Sequence, residues 1–183
     1  DLMNASMMPA VLSGSIEALM DVREMDEEVD VLYKHIVNYL AEVSKLNLNE
    51  TQTTKLMKLM GSANDLENIG DVIEVNMIEL GERRIEKGIK ISDKTRKVIN
   101  TVHMVVSDAL KASVRAVVDE EKEYALRVIQ MKNEMGQLVE QANLHQAQRL
   151  ACQDSGKFEA YSVEIEIIEK LKRIYYHAKR MAG

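Results

Sequence analysis

Apolar residues recur at every third or fourth position along most of the chain, a period that indicates helices, and no stretch alternates as a half-buried strand would. Turn-forming residues interrupt this pattern at Ser13-Gly14-Ser15, Asn47-Leu48-Asn49, Gly88 and Asp154-Ser155-Gly156. The pattern therefore predicts six helices, over residues 2–12 with an interruption at Pro9, 16–44, 50–87, 92–118, 121–153 and from the last turn to the C-terminus. Asn49 with Gln52 resembles an N-terminal cap and its reciprocal partner, and Ser92 can cap the fourth helix.

Two adjacent rows of side chains run at helical spacing through residues 63–80. An apolar stripe lies beside a polar row in which Glu67 and Asp71 are stacked one turn apart, at the rim of the predicted core. Two like charges at this spacing repel and weaken an isolated helix, and a cation shared between them would remove that cost. A solvated acidic face is the simpler interpretation of these residues taken alone.

The second helix has the same arrangement, because Asp26 and Asp30 lie beside its apolar stripe. If the two helices pack antiparallel, four carboxylates converge at a half-buried seam, where their charge needs neutralising. Carboxylate oxygens are hard ligands that suit Mg²⁺, Mn²⁺, Ca²⁺ or iron rather than a thiolate-type zinc site. We therefore predict a metal site made by Asp26, Asp30, Glu67 and Asp71. The alternative is an acidic groove that binds nothing tightly, or that receives a lysine or arginine from a partner.

The two halves of the chain are an internal repeat. MDEEVDVL at Met25 aligns with MKNEMGQL at Met131, and Leu66 aligns with Leu171 after the loss of one residue in a loop. The alignment predicts two tandem three-helix repeats, at residues 1–90 and 91–183, that form one elongated antiparallel bundle. The first repeat has no counterpart for the first half of the fourth helix. We therefore expect its opening helix to be truncated and Asp1 not to be the natural start.

The alignment also predicts that the repeats differ chemically. It replaces every carboxylate of the predicted first site, so that Asp26 corresponds to Lys132, Asp30 to Gly136, Glu67 to Lys172, Asp71 to Tyr176 and Glu74 to Lys179. Ammonium groups donate hydrogen bonds and repel cations, so we expect at most one metal centre. The three lysines form either a basic groove that receives an anion or a solvated surface whose aliphatic stems cover the helix seam.

Composition narrows the class of protein. Hydrophobic residues make up 46% of the chain and it has one proline, eight glycines and no tryptophan, which is typical of a helical bundle. The net charge of −6 argues against a nucleic-acid partner, which needs a concentrated basic face. The single cysteine, Cys152, cannot form an internal disulfide and favours a reducing, intracellular compartment. No apolar run approaches the roughly 20 residues that cross a bilayer.

The segments MDEEVDVLYKHI and DLENIGDVIEVN, with a degenerate second copy downstream, resemble the PhoU domain family. That family has two tandem three-helix repeats and a Glu/Asp-x-x-x-Asp motif on facing helices, which holds metal centres in some members. Here the motif stands as Asp26-x-x-x-Asp30 and Glu67-x-x-x-Asp71. The second half, with His145, Arg149 and the ending KLKRIYYHAKRMA, is more similar to the cytoplasmic C-terminal PhoU-like domain of bacterial sodium/phosphate cotransporters.

The resemblance implies a regulatory or interaction domain in phosphate homeostasis, cytoplasmic at the inner face of the cell membrane. Its implied partners are the membrane portion of a transporter, in the same or another chain, and a second copy in a homodimer. A free-standing PhoU regulator of phosphate ABC transport and signalling is the alternative.

An enzyme that uses a carboxylate-held metal is the second class of function, and we do not expect it. The sequence offers no suitable histidine or arginine beside Glu67 and Asp71, and no Ser/His/Asp or Cys/His arrangement. His145 and His177 fall on adjacent predicted helices and could meet, although a single helical histidine is more often a structural hydrogen-bonding group.

Overall fold

The computed structural model describes residues 1–150 and 157–183, with side chains described through residue 148 and again from residue 158. Cys152, the turn predicted at 154–156 and the predicted end of the fifth helix at 153 lie outside the described residues. The helices are α1 (Leu2–Ser13), α2 (Ile16–Ser44), α3, α4 (Asp93–Val118), α5 (Lys122–Leu150) and α6 (Lys157–Ala182). Helix α3 has three consecutive parts, which are α-helical over Glu50–Asp71, π-helical over Val72–Met77 and α-helical over Ile78–Glu86. The described residues contain no strand, and the predicted all-α fold is confirmed.

The helices begin where the capping residues predict. The side chain of Asn49 accepts a hydrogen bond from the backbone N–H of Gln52, whose own side chain accepts from the backbone N–H of Asn49. Ser92 caps α4 by accepting from the backbone N–H of Thr95. After α3, Gly88 has a φ of +60°, a conformation that costs glycine little and other residues more. Local sequence therefore places these boundaries without help from tertiary contacts.

Helix α1 is continuous through Pro9, so the predicted interruption at that residue is wrong. A proline inside a helix removes one hydrogen bond, and packing can compensate for that loss when the surrounding residues are buried. Met7, Met8 and Val11 are all buried around this turn. The Arg84 guanidinium adds an anchor, because it donates to the backbone carbonyls of Val11 and Gly14 at the end of α1.

One hydrophobic core runs through both predicted repeats. Helix α4 packs against α5 and α6, α3 packs against α2 and α6, and α1 covers parts of α2, α3 and α4. The core contains Met7, Ile73, Ile99, Val128 and Leu171, which come from five different helices. Burial of these side chains contributes roughly 1.5–3 kcal/mol each, which makes their packing the main source of stability.

A buried polar contact joins α3 to α6 inside this core. The Nδ1 atom of His177 lies 2.8 Å from Oδ1 of Asp65, and their side chains are only 8% and 4% exposed. Arg180 approaches the second oxygen of Asp65, with its Nε atom 3.5 Å from Oδ2. Helical periodicity does not predict this contact, because Asp65 lies next to the acidic row rather than in it. A buried carboxylate needs such partners, so the contact fixes how α6 lies on α3.

We predict that Asp65 and His177 are energetically coupled. Replacing Asp65 with alanine leaves His177 buried without this partner, and replacing His177 leaves Asp65 with only the more distant Arg180, so each change costs about 3 kcal/mol in the free energy of unfolding. Urea melts of Asp65→Ala, His177→Ala and the double variant at pH 7 measure the coupling. The double variant should lose much less than the sum of the two single losses. Additive losses would contradict a direct contact.

Candidate functional site

The four predicted carboxylates lie along the line where α2 and α3 pack together. Asp26 and Asp30 come from α2, and Glu67 and Asp71 come from α3. Asp26, Asp30 and Glu67 are half-buried, whereas Asp71 is exposed. The seam is therefore acidic and open to solvent on one side, as expected for side chains at the rim of an apolar stripe.

Gly70 provides the surface against which the Asp26 carboxylate rests. A Cβ atom placed on Gly70 would lie 2.7 Å from Oδ1 of Asp26 and 3.4 Å from Cγ1 of Val29. The first distance is shorter than a non-bonded carbon–oxygen contact allows, so a larger residue at position 70 would displace the carboxylate. The small size of Gly70 therefore permits the close approach of a candidate site residue from α2.

Five carboxylates act on one another at this seam. Burial and then the charges of Asp30, Glu74, Glu67 and Asp71 raise the pKa of Asp26 from its ordinary value of 3.8 to about 6. Because the charge of Glu74, one turn after Asp71, also raises the pKa of Asp26, Glu74 belongs to the same cluster. We call Asp26, Asp30, Glu67, Asp71 and Glu74 the carboxylate cluster.

Glu67 is also affected by the cluster. Burial, followed by the charges of Asp30 and Asp71, raises its pKa, and the nearby Lys34 ammonium opposes that change. Two carboxyl groups, one on each helix, therefore hold their protons more tightly than usual. Such an arrangement favours any cation that enters the seam, because the positive charge relieves the repulsion that helps to raise the pKa values of Asp26 and Glu67.

Two basic side chains of the same chain already lie beside the cluster. The Nζ atom of Lys34 donates to Oδ2 of Asp30 at 2.8 Å, and Arg23 approaches Glu74 with its Nε atom 3.2 Å from Oε1. Arg23 also bonds Glu82 at 3.1 Å. Helix α2 therefore brings an arginine to Glu74 of α3, although no arginine is paired with Glu67 or Asp71 among the described contacts.

The side chains of the cluster are not gathered into a ready-made metal centre. In the part of the chain that the structure describes, no three acidic, histidine or cysteine side chains are grouped in a way that could hold a metal ion. Asp30 and Glu74 are instead turned toward Lys34 and Arg23. A cavity of about 270 Å³ lies over Asp26, Asp30 and Glu74, which leaves room for a cation with bound water. Rotation of the acidic side chains toward this cavity would be needed for direct coordination.

The π-helical segment Val72–Met77 begins directly after Asp71 and contains Glu74. Segments of this kind cost some hydrogen-bond geometry and are often found at functional sites. Here the wider turn lets Val72, Ile73, Met77 and Ile78 all face the core. The sequence pattern does not predict this segment, since nothing in the spacing of apolar residues distinguishes a π-helical turn from an α-helical one.

The two candidate histidines have different partners. His177 bonds Asp65 on α3, and the Nε2 atom of His145 lies 3.3 Å from Oγ1 of Thr95 on α4. The suggestion that His145 and His177 meet is not supported by these contacts. Both act as links between helices, because each holds a polar side chain of a neighbouring helix.

The second repeat lacks the space as well as the charge for such a cluster. Tyr175 stands where the first repeat has Gly70, and its hydroxyl donates to the backbone carbonyl of Val128 on α5 at 2.8 Å. Of the three corresponding lysines, Lys172 pairs with Glu169 on its own helix. By the repeat alignment, a tyrosine therefore stands where the first repeat has the glycine that seats Asp26.

The raised pKa of Asp26 predicts a pH effect on stability. Because the folded protein binds this proton more tightly than the unfolded chain, stability falls as pH rises from about 3.8 to about 6 and stays lower above that. Asp26→Asn removes this loss, so its melting temperature should exceed that of the wild type by a few degrees at pH 7.5 but not at pH 4. Melts in EDTA measure the difference, with Asp108→Asn, at an exposed position of α4, as the control. An equal effect of Asp26→Asn at both pH values would contradict the prediction.

Comparisons with known proteins agree with this architecture. The model of a family described as PhoU domain matches residues 2–79, a range that includes the whole carboxylate cluster. The crystal structure of PhoU from Pseudomonas aeruginosa superposes on the chain with a TM-score of 0.87, over 99% of this chain and 85% of that one, at 16% sequence identity. No curated protein sequence matches the chain. The chain is thus similar to the PhoU domain over residues 2–79 and shares the fold of PhoU across almost its entire length.

Proposed function

We propose that this protein is a regulatory domain in phosphate homeostasis, which acts by binding partners rather than by turning over a substrate. The observation that supports this most is the position of the carboxylate cluster inside the stretch that matches the PhoU domain. The fold is shared with a PhoU over almost the whole chain, which is consistent with the same kind of role. Fold alone does not determine function, so the proposal depends on the site as well.

We propose a free-standing, PhoU-like regulator of phosphate uptake as the first of two settings. The structural match is to PhoU itself and extends across both repeats, and this supports a free-standing protein at least as well as a transporter tail. The second setting, the cytoplasmic tail of a sodium/phosphate cotransporter, is supported by the similarity of the second half to such tails. No helix within residues 1–150 and 157–183 is both long and apolar enough to cross a membrane.

We further propose that the carboxylate cluster binds a divalent or iron-type cation through Asp26, Asp30, Glu67 and Asp71. Hard oxygen donors, two raised pKa values and an adjacent cavity support this. A bound cation would neutralise repulsion between α2 and α3 and so fix their spacing. Lys34 and Arg23 compete for the same oxygens, so the affinity depends on how readily these two side chains are displaced.

The described contacts also favour binding over catalysis. Ser107 and His103 lie within 3.3 Å of each other, which invites comparison with a nucleophile and its base. The same Nε2 atom of His103, however, lies 3.0 Å from the backbone carbonyl of Asn4 and donates its proton there. A nitrogen that donates a proton cannot accept one from Ser107, and burial lowers the pKa of His103, so the neutral ring serves as a structural link.

The cation proposal predicts stabilisation by added metal. Millimolar Mn²⁺ or Mg²⁺ at pH 7.5 should raise the melting temperature of the wild type, because a ligand that binds only the folded state stabilises it. Gly70→Ala should abolish this increase, since the new Cβ would push the Asp26 carboxylate out of its seat. Gly61→Ala is the matched control, because the same helix has open space at Gly61.

Both alanines increase helix propensity by up to about 1 kcal/mol, so we expect a similar contribution to the stability of the two variants in the absence of metal. Only the metal response should distinguish them. Elemental analysis after dialysis against each metal gives an independent measure. A wild type that neither gains stability nor retains metal would overturn the cation site and leave an acidic seam neutralised by Lys34 and Arg23.

The regulatory proposal predicts activity in cells. In a bacterium that lacks its own PhoU, expression of this protein should reduce phosphate uptake at high external phosphate toward the rate of the parent strain. The variant Asp26→Asn with Glu67→Gln, expressed to the same level, tests whether the cluster is required. Unchanged uptake with the wild-type protein would contradict the proposed setting. If the wild type and the double variant both reduced uptake, regulation would not depend on the carboxylate cluster or on cation binding.

A further inference from the structure

A basic stretch surrounds the turn between α3 and α4. Residues 83–97 contain seven lysines and arginines and two acidic residues, a net charge of +5 within a chain whose net charge is −6. The turn itself is well fixed, because Ile89 and Ile91 are buried and Ser92 caps α4. Positive charge is therefore concentrated on an ordered part of the bundle.

The basic residues of this stretch differ in whether a carboxylate neutralises them. Arg83 and Lys87 each pair with a glutamate of α6. Arg84 and Arg96 are half-buried, yet neither forms an ion pair with a carboxylate among the described residues. Two guanidinium charges are therefore partly removed from water without a negative partner in this part of the chain.

Contacts of α1 show that these two arginines lie at the same end of the bundle. Arg84, in the last turn of α3, donates through Nε to the backbone carbonyl of Val11 at 2.8 Å and through a terminal nitrogen to that of Gly14. Helices α1 and α3 therefore end together, and α4, which starts after the short turn, runs antiparallel to α1.

The register between α1 and α4 then places Arg96 opposite the end of α1. Asn4 donates to Ser107 of α4, and its backbone carbonyl accepts from His103. Val11 follows Asn4 by seven residues, and Arg96 precedes His103 by seven. Because seven residues cover the same rise in both antiparallel helices, Arg96 lies level with Val11, where Arg84 is bound.

The two guanidinium groups also affect each other electrostatically. Burial, and then the charge of Arg96, lower the pKa of Arg84. The Nε–H group of Arg96 is buried and has no hydrogen-bond acceptor among the described residues. A buried donor without an acceptor and two adjacent like charges are both unfavourable. A negatively charged acceptor between the two arginines would relieve both costs at once.

We propose that Arg84 and Arg96 bind a phosphate group, either free inorganic phosphate or the headgroup phosphate of a lipid. Guanidinium groups present planar forks of N–H donors that match phosphate oxygens, and the two negative charges of a phosphate dianion balance two arginines. A carboxylate would supply only one charge. Lys90 and Lys94 are exposed beside the turn and add attraction at longer range.

The phosphate site is separate from the carboxylate cluster. Arg84 follows Glu74 by ten residues, which is about 15 Å along α3. A phosphate held by Arg84 and Arg96 would instead link the end of α1 to the start of α4. The site does not rest on the proposed function, because a protein with any role could bind phosphate through these groups.

Calorimetric titration of the whole chain with inorganic phosphate tests the site, in EDTA and with chloride keeping the ionic strength constant. Arg96→Gln should weaken phosphate binding at least about tenfold, because it removes a charge and a charge-assisted hydrogen bond. Arg96→Lys keeps the charge but not the fork of donors, so it should restore only part of the affinity. Lys111→Gln is the matched control, because Lys111 is exposed on α4 about 22 Å from Arg96.

Nuclear magnetic resonance shows where the phosphate binds. The Nε–H signal of Arg96 is identified by its absence from the spectrum of Arg96→Lys, and it should shift when phosphate is added to the wild type. Arg84 is left unchanged in these variants because it anchors α1. Circular dichroism should show the same helical content in each variant as in the wild type.

Sedimentation with vesicles distinguishes the two sources of phosphate. Binding to vesicles of phosphatidylcholine with phosphatidic acid, but not to phosphatidylcholine alone, would identify a lipid headgroup if Arg96→Gln removes it. Binding of the free ion in the titration would identify inorganic phosphate, and either result supports the site. Binding that Arg96→Gln leaves unchanged would overturn the proposal. So would the absence of binding both to these vesicles and to free phosphate at about 10 mM. Neither assay involves a metal or uptake by cells, so the outcome is independent of the proposed function.

Discussion

The close approach of α2 to α3 at Gly70 is the constraint on which the site depends. Because position 70 has no Cβ, the Asp26 carboxylate can rest against the backbone of α3. That contact places Asp26 among carboxylates of both helices and raises its pKa through burial and repulsion. Half-buried like charges are unfavourable unless something neutralises them. Lys34 and Arg23 do so in part, and the proposed cation would neutralise the remaining repulsion.

The rest of the bundle holds this seam in place through polar contacts between helices. Asp65 and His177 join α3 to α6, and Asn4 with Ser107 joins α1 to α4. Apolar packing alone tolerates sliding of one helix along another, because it is not directional. Buried hydrogen bonds are directional and costly to leave unmade, so they select one register. The Asp65–His177 contact therefore fixes the register of α3, the helix that carries Glu67, Asp71 and Glu74, against α6.

The two halves of the chain that the predicted repeat alignment pairs carry different surface chemistry. In the second repeat, Tyr175 occupies the place of Gly70, and Lys132 stands where the first repeat has Asp26. Bulk and charge both change at the same place, so the second repeat lacks both the seat and the ligands. The acidic seam therefore belongs to the first of the two predicted repeats.

The sequence by itself determined the helices and their boundaries, because capping at Asn49 and Ser92 and the break at Gly88 are local events. It also identified four carboxylates on two helices, since helical periodicity fixes which residues share a face.

Only the tertiary structure decided which groups meet across helices: Glu74 joins the cluster, Arg23 and Lys34 approach it, and Asp65 is buried against His177. The π-helical turn and the continuity of α1 through Pro9 also depend on packing, because each loses local hydrogen bonding that buried neighbours compensate. Periodicity assigns a residue to a face, whereas distance, burial and partners depend on which other helix covers that face.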